Sequence, residues 1–195
     1  MMQTRDPRLN LFLAITLALL MILTRGHHDF TLEHLPDASW AIFFLAGISL
    51  RSTGYFGLFF LLAVSLDYIA ITWGGVSSFC VTGAYALLLP AYAALWYAGR
   101  SAKPQTAAPL WQNLPRMGLL ALGGTLTCEL VSSGGFYFFS GRFVDPSLTE
   151  FAPRLVKYLP GNLQSVALYL GMAGVVYAVI SLFRRGSDQG LSKQA

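Results

Sequence analysis

Apolar residues along this chain fall into six runs separated by short polar or glycine-containing interruptions. The runs cover residues 9–24, 38–50, 55–73, 76–97, 116–139 and 162–183. A helix needs about 20 apolar residues to cross the hydrocarbon core of a bilayer, and most of these runs approach that length. The pattern therefore predicts an all-α protein, an integral membrane six-helix bundle formed as a single domain over residues 1–195.

The second run is too short to span easily, because its 13 residues rise about 20 Å against about 30 Å of hydrocarbon. Residues 51–54 follow this run. They form either a turn between two separate helices or part of one longer membrane span. The positive-inside rule separates the alternatives. With six helices and both termini cytoplasmic, nine of the 13 basic residues lie inside, whereas five helices bury Arg51 and leave five inside. Six helices are favoured.

Composition agrees with a membrane protein. Of the 195 residues, 55% are hydrophobic and only 11% are charged, against about 25% charged residues in soluble domains. The net charge is +4, but the basic residues lie between the apolar runs instead of forming a patch. This distribution argues against a nucleic-acid partner. The first run lacks a small-x-small cleavage site after it, so we expect a retained helix. The chain has no GxxxxGK[ST] phosphate loop, so we expect it to bind no nucleotide.

Candidate chemistry concentrates in residues 66–85, which read LDYIAITWGGVSSFCVTGAY. Asp67 precedes a glycine turn, and Cys80 and Tyr85 follow it. Ionisable groups at membrane depth are costly and indicate a functional site by default. We expect this turn to form the floor of a ligand pocket, with Cys80 touching the ligand. The alternative is that Cys80 is a small core residue and Tyr85 an interfacial belt residue.

Residues 25–37 form the first predicted loop and hold all three histidines, His27, His28 and His34, with three carboxylates. Neutral imidazole is a good ligand for cobalt, nickel or zinc, although a solvated loop is the simpler interpretation. We expect a role for His28 or His27. Arg154, in the loop predicted at 141–161, would pair with a ligand phosphate or with Glu150. The predicted topology places all these residues on the outer side.

A six-helix bundle with an outward-facing polar site and no midplane ion relay resembles a substrate-capture protein. The first helix carries Ala14 and Ala18, a small-x-x-x-small pair that lets another helix approach closely. With Cys80 at the outer start of the fourth helix, the chain resembles the BtuM-type cobalamin-specific S-components of energy-coupling factor (ECF) transporters. Asp67, Tyr85 and His28 belong to the same resemblance.

The resemblance implies a membrane component that captures cobalamin at the outer face of a bacterial inner membrane. Cys80 would be the axial cobalt ligand and the catalytic residue of a decyanation of cyanocobalamin, with His28, Asp67, Tyr85 and Arg154 around the cargo. Ala14 and Ala18 would dock an ECF transmembrane coupling subunit driven by two ATPase subunits. The alternatives are an S-component for another vitamin or for cobalt or nickel ions, and a membrane thiol oxidoreductase. The last is disfavoured because no CxxC pair is present.

Overall fold

A computed structural model describes residues 7–25, 35–103 and 110–192, and this part of the chain consists of helices joined by turns. The α-helices are α1 (Pro7–Thr24), α2 (Ser39–Ser49), α3 (Gly54–Thr72), α4 (Leu88–Ser101), α5 (Leu110–Glu129), α6 (Gly135–Phe139) and α7 (Leu148–Ser192). Two 3₁₀ turns, Ser78–Cys80 and Gly83–Leu87, precede α4. A π-helical turn, Leu130–Gly134, joins α5 to α6 without a break. Counting α5 and α6 as one segment, the predicted all-α architecture of six helical segments is confirmed.

Four segments are long and apolar enough to cross a membrane: Pro7–Thr24, Gly54–Thr72, Gln112–Phe139 and Leu148–Ser181. Large apolar side chains on them point away from the protein, among them Phe12, Leu61 and Val175, each more than 60% exposed. Extended apolar faces of this kind are unfavourable in water and suit contact with lipid. The chain therefore has the character of a multi-pass membrane protein.

The break at residues 51–54 is confirmed, since α2 ends at Ser49 and α3 begins at Gly54. Other boundaries differ from the sequence prediction. Helix α5 begins at Leu110, before the start of the apolar run at 116–139. The run at 76–97 is not one helix, because two 3₁₀ turns occupy its first half. The loop predicted at 141–161 is helical from Leu148 onward. Its charges suggested a loop, but Phe151, Leu155 and Leu159 recur every fourth residue and form the inward face of a helix.

Helix α2 lies at the centre of the bundle. Ile42, Phe43 and Phe44 are completely buried, and α2 contacts α1, α3, α4, α5 and α7. Its closest neighbour is α4, and two glycines permit the approach. A Cβ added at Gly47 would collide with the carbonyl oxygen of Trp96, and one at Gly99 with that of Phe44. The short, mostly buried α2 thus serves as the core around which the longer helices pack.

The small-residue pair of α1 is used inside this chain. Ala14 is only 8% exposed and belongs to the main hydrophobic core, and Ala18 packs against the same core. Since α1 contacts α2 and α3, these alanines allow α1 to approach its own bundle closely. The outward side of α1 carries larger residues, including Phe12, Ile15 and Leu19.

Candidate functional site

Arg25 is the central residue of a buried polar network at the end of α1. Although the sequence places it in a loop, it is only 6% exposed. Its Nε and Nη2 atoms donate to the Oδ1 and Oδ2 atoms of Asp67, both at 2.8 Å. This bidentate pairing of guanidinium and carboxylate joins the end of α1 to the last turns of α3.

The third nitrogen of the guanidinium reaches two more helices. Nη1 of Arg25 donates to Ser39 Oγ at 2.8 Å and to Tyr92 Oη at 3.0 Å. Asp37 Oδ2 lies 3.5 Å from the same nitrogen. Asp37 also accepts from the backbone N–H and the hydroxyl of Ser39, at 2.8 and 2.6 Å, and so caps the start of α2. One buried cation therefore holds α1, α2, α3 and α4 together.

Tyr85 completes the network from the second 3₁₀ turn. Its hydroxyl donates to Asp67 Oδ2 at 2.6 Å. Burial and this hydrogen bond to the Asp67 carboxylate raise the pKa of Tyr85 well above its usual value, so the phenol stays protonated. The predicted association of Asp67 with Tyr85 is therefore direct, and both carboxylate oxygens of Asp67 are engaged by Arg25 and Tyr85.

Helix α7 fixes the segment that leads into α2. Ser165 Oγ donates to the carbonyl oxygen of Asp37 at 2.6 Å, and Tyr169 Oη to that of Pro36 at 2.6 Å. These bonds satisfy backbone carbonyl groups of the exposed segment that precedes α2. The segment that carries Asp37 of the polar network is thereby tied to α7.

Cys80 ends the first 3₁₀ turn and is exposed. Side chains cap both turns locally: Ser77 Oγ accepts from the N–H of Phe79 at 3.2 Å, and Thr82 Oγ1 from that of Ala84 at 3.3 Å. Before them, Gly75 adopts a positive φ of 68°, a conformation that favours glycine. The sequence thus builds an ordered hairpin-like connection that presents the Cys80 thiol at the surface. Cys128, in contrast, is buried, and both cysteines are free.

An aromatic rim lies beside the Cys80 turn. We define the aromatic rim as the side chains of Phe79, Phe136, Tyr137, Phe143 and Phe151. The ring of Phe79 packs edge-on against Phe136, with 5.7 Å between centroids, so the residue before Cys80 is anchored on α6. Phe136 in turn contacts Phe143 in the connection between α6 and α7.

Two arginines cover the aromatic rim. The guanidinium of Arg142 lies 5.1 Å from the ring centroid of Phe79, and that of Arg154 lies 4.6 Å from the ring of Phe143. These are cation–π distances. Glu150, the ion-pair partner suggested for Arg154, instead accepts a hydrogen bond from Tyr137 Oη at 3.1 Å. The rim therefore carries positive charge next to an exposed thiol.

The predicted site residues fall into three groups. Asp67 and Tyr85 bond to each other, and Cys80 lies five residues before Tyr85 on the same connection. Arg154 lies across the aromatic rim from the Cys80 turn. His28, with His27 and His34, lies outside the described residues. Sequence reasoning missed Arg25, although a lone arginine after one apolar run and a lone aspartate within another were the available signal.

Among the described residues, no group of three or more His, Cys, Asp or Glu side chains could hold a metal ion. No family model matches the chain, and a search of curated proteins finds no significant match.

Proposed function

We propose that this protein captures a cobalt corrinoid, cobalamin, at the outer end of the bundle, with the Cys80 thiolate as axial ligand to cobalt. The observation that carries the proposal is the exposed thiol of Cys80, on a capped turn anchored to the aromatic rim. A thiolate that binds a metal centre must be reachable, and a core cysteine would not be. The exposure of Cys80 supports the ligand interpretation over the core interpretation.

The surroundings of Cys80 suit a large planar ligand with polar edges. Aromatic faces and arginine side chains offer flat surfaces and hydrogen-bond donors, and corrin side chains are rich in amides. Arg154 and Arg142 stand at the rim, where they can reach carbonyl oxygens or a phosphate group of the cargo. Asp67 and Tyr85 act indirectly, because their polar atoms are used in the Arg25 network that fixes the connection carrying Cys80.

The thiolate gives the protein a reaction to perform on cyanocobalamin. Soft sulfur suits a late, polarisable metal better than carboxylate oxygen does. When sulfur donates its electron pair to cobalt(III), cyanide departs with the pair that had bound it and takes up a proton from solvent. No electron is transferred in this exchange. Decyanation would then accompany capture.

Uptake requires partners, because the chain has no phosphate loop of its own. In the proposed arrangement the protein lies in a bacterial inner membrane with both termini cytoplasmic. It delivers its cargo to an ECF transmembrane coupling subunit and two ATPase subunits. Ala14 is buried in the chain's own core and Ala18 is half-buried against it, so the docking role expected for both falls to the outward side of α1, with Ala18 at its edge.

Purification of the full chain with cyanocobalamin, and separately with Co²⁺ or Ni²⁺ ions, tests this proposal. We expect one corrinoid per chain to remain bound through size-exclusion chromatography, with the strong visible absorption of the corrin ring. Retention of bare Co²⁺ or Ni²⁺ without corrinoid would favour the ion-binding alternative, and retention of neither would reject the proposed cargo.

A further inference from the structure

A second polar site lies inside the bundle, at the end of α5. Glu129 is completely buried, and its Oε2 atom accepts a hydrogen bond from Asn162 Nδ2 of α7 at 2.6 Å. Its Oε1 atom is also buried and has no hydrogen-bond partner among the described residues. Buried polar atoms are nearly always paired, so an unpartnered carboxylate oxygen in a membrane-spanning segment calls for an occupant.

Thr125 supplies a second unpartnered oxygen next to the first. It lies four residues before Glu129, on the same face of α5, and its Oγ1 atom is buried without a partner in the described chain. Other hydroxyls of this segment behave differently. Thr127 Oγ1 donates to the carbonyl of Gly123, and Ser132 Oγ to that of Cys128, each one turn earlier. The hydroxyl of Thr125 does not make this common helix bond.

The helix changes its winding directly after these residues. The π-helical turn Leu130–Gly134 begins at the residue that follows Glu129. Such π-turns within α-helices are uncommon and are frequently found at functional sites. The altered winding shifts the register between α5 and α6, and it does so at the buried carboxylate.

No basic side chain in the described part of the chain neutralises Glu129. Both ion pairs found there use Arg25, whose guanidinium is engaged by Asp67 and Asp37. Burial of an ionised carboxylate without a compensating charge is strongly unfavourable. A cation at Oε1 would remove this cost.

We infer that Glu129, Thr125 and Asn162 form a binding site for a sodium ion within the bundle. The unpartnered oxygens are those of the Glu129 carboxylate and the Thr125 hydroxyl, hard ligands suited to alkali and alkaline-earth cations, and Asn162 holds the carboxylate through its other oxygen. A single carboxylate balances one positive charge, which favours a monovalent ion. The site shares no residue with the proposed cobalamin site, and it would supply an intramembrane ion position that the sequence did not reveal.

Thermal unfolding of the purified full chain in detergent, without cobalamin, tests the sodium site. Sodium chloride is titrated against choline chloride at constant ionic strength. Because a ligand that binds only the folded state raises Tm, we expect a saturable rise with sodium and none with choline. Glu129→Gln should abolish the rise in Tm. Thr125→Val should raise, several-fold, the sodium concentration at which half of the rise is reached. The same substitution at exposed Glu150, Glu150→Gln, should leave the sodium response unchanged.

Three results would overturn the inference. One is an equal effect of choline, which would indicate ionic strength alone. Another is a sodium response that Thr125→Val leaves unchanged. This variant can still be measured if Glu129→Gln fails to fold. The third is stabilisation of the wild type by acid but not by sodium, which would make Glu129 a proton-binding residue. None of these outcomes depends on whether the protein binds cobalamin.

Discussion

At the scale of single residues, the pair of Arg25 and Asp67 explains how a chain with few charges positions its candidate site. Two N–H groups of the buried guanidinium bond to the two oxygens of the partly buried carboxylate at 2.8 Å. Removing one partner of such a pair leaves the other charge buried without compensation, which is worse than removing both. The network is thus sensitive to single substitutions and tolerant of matched double ones.

Asp67→Asn should strongly destabilise the protein, by about 3 kcal/mol, because it leaves the buried Arg25 guanidinium with only the longer contact to Asp37 as its ion pair. The same substitution at exposed Asp145, Asp145→Asn, should have little effect. The double variant Arg25→Met, Asp67→Leu should lose less than the sum of the single losses. Thermal unfolding in detergent measures all of these. Equal Tm values for Asp67→Asn and Asp145→Asn would show that the pair contributes nothing.

Tyr85 gives the network a dependence on alkaline pH. Its pKa is raised in the folded state, so its contribution is complete below the unfolded value of about 10 and is lost as pH rises through the folded pKa. At neutral pH, Tyr85→Phe should cost about 1 kcal/mol for the lost hydrogen bond to Asp67. We expect the Tm difference between wild type and Tyr85→Phe to shrink at strongly alkaline pH. A difference that grows with pH would contradict this account, and Tyr97→Phe at an exposed position serves as the control.

At the scale of elements, the contact between α2 and α4 sets the geometry of the bundle. The two helices approach through Gly47 and Gly99, each facing a backbone carbonyl of the other helix. A backbone carbonyl cannot move aside as a flexible side chain can, so a methyl group at either position forces the helices apart. The starts of α2 and α4, which carry Ser39 and Tyr92 of the Arg25 network, would separate with them.

Gly99→Ala should therefore lower stability by about 1–3 kcal/mol, the usual cost of overpacking. Gly171→Ala offers a matched control, because a Cβ at Gly171 meets nothing within 4 Å. The comparison is made by thermal unfolding of both variants in the same detergent. A Gly99→Ala variant as stable as Gly171→Ala would show that α2 and α4 are less closely packed than described.

The apolar runs predicted most elements correctly because membrane helices leave a strong hydropathy signal. The break at residues 51–54 was predictable from its arginine and glycine. The 3₁₀ turns before α4 were not, since their apolar composition matches that of a helix and only tertiary contacts, such as that of Phe79 with Phe136, fix their shape. The early start of α7 was obscured by its charged outer face.

Only part of the candidate site was predictable, because some of its residues meet only through contacts between distant parts of the chain. Asp67 and Tyr85 stood out because polar side chains are rare in this chain, and they do bond to each other. Arg25 was assigned to a loop because it follows the last residue of an apolar run. Its burial depends on side chains from α2, α3 and α4 that are far apart in sequence. Pairings over such separations leave no local pattern.

At the scale of the whole molecule, the arrangement of basic residues predicts orientation. Both termini should be cytoplasmic, because nine of the 13 lysines and arginines then lie inside. Reporter fusions at Ala195 and within residues 99–115 should both report the cytoplasm. Arg25, counted among the outside residues, is paired in the core, so its contribution to orientation is small. A periplasmic C-terminus would place the Cys80 turn on the wrong side for capture from outside.

The proposed docking to a coupling subunit is also tested at the scale of the whole molecule. Ala18→Leu should weaken co-purification with the coupling subunit while corrinoid binding is retained, since a larger side chain keeps helices apart. Ala14→Leu should instead lower the stability of the isolated protein, because Ala14 is buried in its own core. Unchanged co-purification of Ala18→Leu would remove this part of α1 from the docking surface.

The visible spectrum of the purified protein with cyanocobalamin tests the central proposal most directly. Wild type and Cys128→Ala should show a shifted cobalt spectrum and release cyanide, because the exposed Cys80 thiolate reaches the metal while Cys128 is buried. Cys80→Ala and Cys80→Ser should show neither change, since neither side chain is a good ligand for this metal. An unshifted spectrum in wild type, or the same shift in Cys80→Ala, would contradict sulfur coordination.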